Sequence, residues 1–277
     1  MAIIKIYAED NDGYIKAKST VSFQNARAAS SGYYINDTSA THNEGFSMAA
    51  TLYKRGGTAG NTFFGRTFIA FDVSSITSTH ASATLTLYGF ANQTIAQGGF
   101  AIVKSTAFGT GGVNGTTPGQ DLILSDFDKI TGSGGLATSS MAGQSSVVKY
   151  STYSSSNFSS NWLTGTVGNV FTLNTQALTD IGNNDWLVIC LVNYSYDYLY
   201  NAPVAPVPGT IPPGWTNSLT EAHGGTFANS STVTLRPHLS ITTISTGYDH
   251  AVNTVTSANI GKVNTTATAN IGKIITV

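Results

Sequence analysis

The sequence is short of charge. Only 10% of its 277 residues are Asp, Glu, Lys or Arg, against roughly 25% in an average soluble domain. Thirteen basic and fourteen acidic residues leave a net charge of -1, and the basic ones are scattered. That excludes the basic stripe by which nucleic acid is held. Cysteine is nearly missing: Cys190 stands alone, so no disulfide framework is available. It lies in the apolar run Trp186 to Val192 and reads as a buried small hydrophobe rather than a reactive thiol. No apolar run approaches the roughly 20 residues of a membrane span. Met1 to Ile6, followed by Glu9 and Asp10, does not read as a signal peptide. Signatures of catalysis are absent too. His42, His80, His223, His238 and His250 are dispersed without metal-ligand spacing. There is no Gly-x-Ser-x-Gly elbow and no Gly-Lys-Ser/Thr phosphate loop. A non-enzymatic protein without a cofactor is the expectation.

What is present is apolar and hydroxylic. Apolar residues make up 41% and aromatics 10%, enough to offset the entropy lost on folding. Ser, Thr, Asn and Gly keep the surface wet, as in secreted, virion and adhesive β proteins. Arg66 to Val73 alternates, with Thr67, Ile69, Phe71 and Val73 on one side. Ser82 to Tyr88 turns Ala83, Leu85 and Leu87 inward. Leu187 to Val192 is apolar on both faces and predicts a central strand covered on both sides. Pro237, within the alternating stretch Val233 to Thr243, predicts an edge strand or a bulge. Asn174 is placed to cap a short helix over Thr175 to Ile181, stopped by Gly182. No other helix is expected. Long polar loops, Gly109 to Gly119 and Thr131 to Ser146, and a proline-rich one, Ala202 to Gly214, separate the strands. The expected fold is all-β: a jelly-roll-like antiparallel β-sandwich over residues 21–245. Residues 1–20 form an N-terminal segment that is a candidate anchor, and residues 246–277 form a C-terminal extension.

Three stretches carry a family resemblance: Arg66 to Ile76, Ser82 to Tyr88, and Leu235-Arg236-Pro237-His238-Leu239-Ser240-Ile241. Together they resemble the DNRLRE-type domains, jelly-roll, carbohydrate-binding-like modules of secreted bacterial proteins. The resemblance implies a sandwich framework from about Val21 to Thr243. Phe71 would plug the core, and Asp72 would bond backbone amides of the Ser74-Ser75 turn. The inserted loops and the N-terminal part depart from the pattern, and a glycan site would lie in such loops. A second likeness lies in the tail. Ala258-Asn259-Ile260-Gly261-Lys262-Val263-Asn264 recurs as Ala269-Asn270-Ile271-Gly272-Lys273-Ile274-Ile275. It is similar to C-terminal Asn-Ile-Gly-Lys repeats of tailed-phage structural proteins.

Candidate sites follow. Tyr194, Tyr196, Tyr198 and Tyr200 fall at every second position after the apolar run, with Trp215 beyond the proline loop. In an extended chain the four phenols share one face. Such a row either stacks on sugar rings, grips a protein neighbour, or packs under a loop. Asp121, Asp126 and Asp128 could bind calcium or form a solvated turn. In the tail, Ile260, Lys262, Val263, Ile271, Lys273 and Ile274 are candidates for docking onto a sheet edge, a second copy or a partner shell; the other reading is a disordered tail. The expected role is a structural protein of a virion surface, of capsid-decoration or head-fibre type, released by lysis. Its partners would be capsid proteins or its own copies in a homo-oligomer. The alternative is a glycan-binding adhesion module.

Overall fold

The computed structural model describes residues 2–9, 12–19, 23–36, 50–55, 61–76, 80–94, 98–108, 122–132, 139–155, 163, 165–201, 215–219, 222–226, 235–244, 262–263 and 266–267. The strands, in chain order, are β1 (Ile3–Tyr7), β2 (Gly13–Ser19), β3 (Tyr34–Asn36), β4 (Ala50–Arg55), β5 (Asn61–Asp72), β6 (His80–Thr94), β7 (Gly98–Lys104), β8 (Lys149–Ser155), β9 (Gly168–Thr172), β10 (Trp186–Asn193), β11 (Trp215–Leu219), β12 (Ala222–Thr226), β13 (His238–Thr243), β14 (Lys262–Val263) and β15 (Thr266–Ala267). Among the described residues two α-helices join them, α1 (Phe23–Arg27) and α2 (Thr175–Asn183). The first sheet runs β1-β13-β6-β12, with β9 also on β6; the second runs β11-β4-β5-β10-β7-β8, with β2 on β5 and β3 on β2. Both are antiparallel throughout.

Eight strands make the framework: β1, β5, β6, β7, β8, β9, β10 and β13. Counted among themselves, the first sheet is ordered first, eighth, third, sixth, and the second is ordered second, seventh, fourth, fifth. That is the double Greek key of a jelly roll. The segment carrying β2, α1, β3 and β4 is an insertion between the first and second framework strands. The first twenty residues, read from the sequence as a segment apart, supply β1 and β2 to the two sheets. Thr243 N donates to Ala2 O at 2.9 Å, so the last framework strand ends beside the start of the first.

Alternation places the cores. Ile69 and Phe71 of β5, Leu85 and Leu87 of β6, Leu187, Ile189 and Leu191 of β10, and Leu239 and Ile241 of β13 fill the space between the sheets. The other face of the second sheet is covered as well. Phe68, Ala70, Val103, Val188 and Cys190 meet Ala26 of α1 and Phe108, Phe127 and Met141 from the loops. Every residue of β10 is buried, as the continuous apolar run predicts. Asp72 Oδ1 accepts from Ser74 N at 2.9 Å, the turn expected at that point.

Three local expectations are corrected, the first being that α1 (Phe23–Arg27) is a helix where none was expected. β13 is an inner strand between β1 and β6, not an edge. Pro237 is tolerated because it immediately precedes the strand, where its carbonyl accepts from Ala8 N at 2.8 Å. Helix α2 is capped by Asn174 Oδ1, which accepts from Ala177 N at 3.1 Å, but it passes through Gly182 and ends at Asn183. A Cβ at Gly182 would stand 3.0 Å from His80 Cε1, so this glycine serves packing and does not stop the helix. No helix among the described residues is long and apolar enough to cross a membrane.

Candidate functional site

The tyrosine row does not form. After β10 the chain winds into a single π-helical turn, Tyr194–Tyr198. Asn193 Oδ1 starts it by accepting from Tyr196 N at 2.8 Å. Leu199 N donates to Tyr194 O and Asn201 N to Ser195 O, each at 2.9 Å. Tyr200 then adopts a left-handed backbone with φ 59°. The every-second spacing thus wraps around a turn instead of lining one face. Tyr198 is buried, and Tyr194, Tyr196 and Tyr200 pack half-buried against the outer core. Tyr194 and Tyr198 stack with centroids 5.8 Å apart, and burial raises the pKa of Tyr196 and Tyr198. Of Trp215 only the backbone, in β11, is described.

The turn exists to carry a charge inward. Asp197 is fully buried and receives two arginines. Arg66 grips it side-on, Nε to Oδ2 at 2.7 Å and Nη2 to Oδ1 at 2.9 Å. Arg27, at the end of α1, donates from Nε to Oδ1 at 3.1 Å and from Nη2 to the Asp197 carbonyl at 2.8 Å. The spare donors of Arg66 go to Phe127 O at 2.8 Å and Arg27 O at 3.1 Å. Arg66 also lies over the Phe127 ring at 4.2 Å and Arg27 over the Tyr200 ring at 4.8 Å. Burial pulls the Arg27 pKa below its ordinary value against the attraction of Asp197. In Arg66 burial acts the same way, but Asp197 outweighs it and the pKa rises. One cluster therefore ties α1, β5, the Leu124–Asp128 turn and the π turn together. Sequence reasoning missed it. The signal was Arg66 itself, which shares its strand face with Phe68 and Ala70 and so needs a buried carboxylate.

The acidic patch is divided. Asp121 lies outside the described residues. Asp126 is buried, and its Oδ2 accepts from Phe108 N at 3.2 Å and Ile123 N at 3.1 Å. It clasps the loop to its own backbone, and burial raises its pKa. Asp128 is half-exposed near Arg66, and burial raises its pKa also. No group of three metal-ligand side chains occurs among the described residues. A second polar cluster joins Tyr150, whose hydroxyl donates to Asp180 Oδ2 at 2.5 Å, and Lys104, 3.0 Å from Asp180 Oδ1. Burial, then Asp180, push the Tyr150 pKa up, so its proton is held and not offered. The cleft beside it, lined by Ser105, Asn184 and Trp186 among others, has a volume of about 10 Å³, room for one water and no substrate.

Among the described residues the exposed aromatics lie elsewhere: Tyr33 just before β3 and Tyr34 at its start. Ile15 and Ala17 turn to the outer core, so Tyr14, Lys16 and Lys18 take the opposite face. β3 pairs Tyr34 with Lys16. Gly32 lets the chain enter β3 this closely, since a Cβ there would meet Ile15 Cγ2 at 2.1 Å. Lys16 Nζ stands 5.1 Å from the Tyr14 ring centroid and 5.8 Å from that of Tyr34, and Lys18 Nζ stands 5.0 Å from that of Tyr33. Tyr33 is 59% and Tyr34 45% exposed. In the tail, Lys262–Val263 pairs with Thr266–Ala267 as a small hairpin; Ile260, Ile271, Lys273 and Ile274 lie outside the described residues. The chain matches no protein-family model and no curated protein.

Proposed function

We propose that this protein is a non-enzymatic structural subunit of a virion surface, of capsid-decoration or head-fibre type, that works by contact. The observation that carries the reading is the commitment of the buried ionisable groups described above to the fold. Asp197 holds two arginines, Asp126 holds two amides and Asp180 holds Tyr150. Such groups brace a scaffold, and none of the three faces a substrate-sized space among the described residues. The charge-poor composition and the phage-like tail repeat supply the virion context. Attachment would run through backbone bonds and apolar contact of the tail, not through charge. The test is a wash of particles bearing the protein. At about 1 M NaCl, where exposed charges are screened beyond roughly 3 Å, the protein stays bound, whereas urea releases it. Release by salt alone counts against this mode of attachment.

A second reading, glycan binding for adhesion, is favoured by the exposed Tyr33 and Tyr34 rings. A jelly roll with solvent-facing phenols beside amines presents what a sugar ring stacks on. Binding of oligosaccharides by the full chain, lost on Tyr33→Ala, is the expected result.

A further inference from the structure

We propose that two copies of this chain join through β9, edge to edge and antiparallel, about a two-fold axis at Val170. The inference goes beyond the virion reading and does not require it, since the protein alone in solution should show the contact. β9 pairs with β6 and ends that side of the first sheet. Leu173 N donates to Ala83 O at 3.0 Å, and the register runs on from there, with Phe171 opposite Leu85 and Asn169 opposite Leu87. In an antiparallel ladder these alternate positions bond to β6, so the N–H and C=O of Gly168, Val170 and Thr172 point away from it. Among the described residues no other strand pairs with them. Proteins usually blunt such an edge with charge or proline. The other end strands of the framework follow that rule: β1 carries Lys5 and β8 carries Lys149, both exposed. β9 does not. No Asp, Glu, Lys, Arg or Pro occurs between Lys149 and Asp180, and Asp180 is engaged by Lys104 and Tyr150. β6 contains no Asp, Glu, Lys or Arg either. The edge is also apolar: Val170 is 62%, Val167 56% and Leu163 43% exposed. Asn169 fixes Leu163 beside it, accepting from Leu163 N and donating to Leu163 O, each at 2.9 Å. The occupant that fits is a second copy. Self-pairing sets Val170 opposite Val170 of the partner subunit and Gly168 opposite Thr172 of the partner subunit, and every one of these positions bonds outward. A charge near such an axis would meet its own likeness, and β9 and β6 bring none. Gly168 is small because a Cβ there would run into Thr86 Cγ2, which leaves space for the facing threonine.

Sedimentation of the full chain from micromolar to millimolar concentration measures the association. A reversible dimer is expected, as tight in about 1 M NaCl as in low salt, because no charges pair across it. Val170→Lys sets two ammonium groups face to face and should weaken the dimer by about tenfold or more. Residue 170 is exposed, so the variant should keep the far-UV spectrum of the parent. Amide hydrogen exchange of the parent chain reads the position of the contact and needs no variant. The Val170 and Thr172 amides should exchange more slowly as concentration rises, while those of β1 should not change. If Val170→Lys fails to fold, this exchange pattern decides alone. A chain that stays monomeric at millimolar concentration overturns the proposal. A dimer unmoved by Val170→Lys, or slowing that spares Val170 and Thr172, places the contact elsewhere and overturns it too. Val170 protected equally at every concentration would put another segment of the same chain on the edge, which also removes the second copy.

Discussion

A carboxylate caught between two guanidiniums has no neutral substitute. Asp197→Asn keeps the shape but removes the carboxylate that the buried Arg27 and Arg66 share. Breaking one side of a buried pair costs about 3–5 kcal/mol, and urea unfolding of the variant should show a loss of that size. Replacing all three residues by apolar ones of similar volume should recover much of it. A second prediction concerns His238, buried between the rings of Tyr7 and Tyr88 at 5.5 and 6.0 Å. Burial, aided by Lys5, lowers its pKa from the ordinary 6.5, against the Arg236 carbonyl. The unfolded chain therefore takes up the proton first. Stability should be full above about pH 6.5 and fall as pH drops through that value, by at most about 1.4 kcal/mol per pH unit. His238→Phe should flatten that part of the profile in melts run from pH 7.5 to 5, and an unchanged slope would clear His238 of it. At this scale the sequence was legible where a residue follows its strand's alternation, as Phe71 and Cys190 do. It was opaque where partners are remote: 131 positions separate Arg66 from Asp197, and nothing in either's neighbourhood names the other.

Elements were read well where the signal is local. The cap at Asn174 is written in a few consecutive residues, and the structure carries it as expected. Asn174→Ala should cost about 1 kcal/mol, somewhat more because Asn174 Nδ2 also donates to Lys149 O at 2.7 Å; a thermal melt measures it. The tyrosine run shows how period alone misleads. Four phenols at alternate positions fit a strand face, yet Asn193 at its head offers a side-chain acceptor that starts a turn, and the carbonyl of Asp197 then finds Arg27. Tertiary bonds outbid the local pattern. The pairing of Tyr34 with Lys16 was equally hidden, because it depends on the register of an inserted hairpin.

At the scale of the whole molecule, β5, β7 and β10 serve as a wall common to two cores. Cores that share a wall should melt together. Leu239→Ala in the inner core and Phe127→Ala in the outer one should each lower stability by about 2–5 kcal/mol. Both should leave one sharp denaturant transition, the same by circular dichroism and fluorescence. An early separate step in Phe127→Ala would show the outer layer to be an independent unit. The all-β sandwich could be anticipated from the alternating strands, but neither the strand order nor the second core could, since the roof of that core comes from loops without periodicity. The bond from Thr243 to Ala2 has a practical corollary. Both ends of the sandwich emerge at one spot, so a label fused ahead of Ala2 sits at the root of whatever follows Thr243 and crowds it. Joining those ends with a short linker and reopening the chain elsewhere should yield a permuted sandwich that still folds.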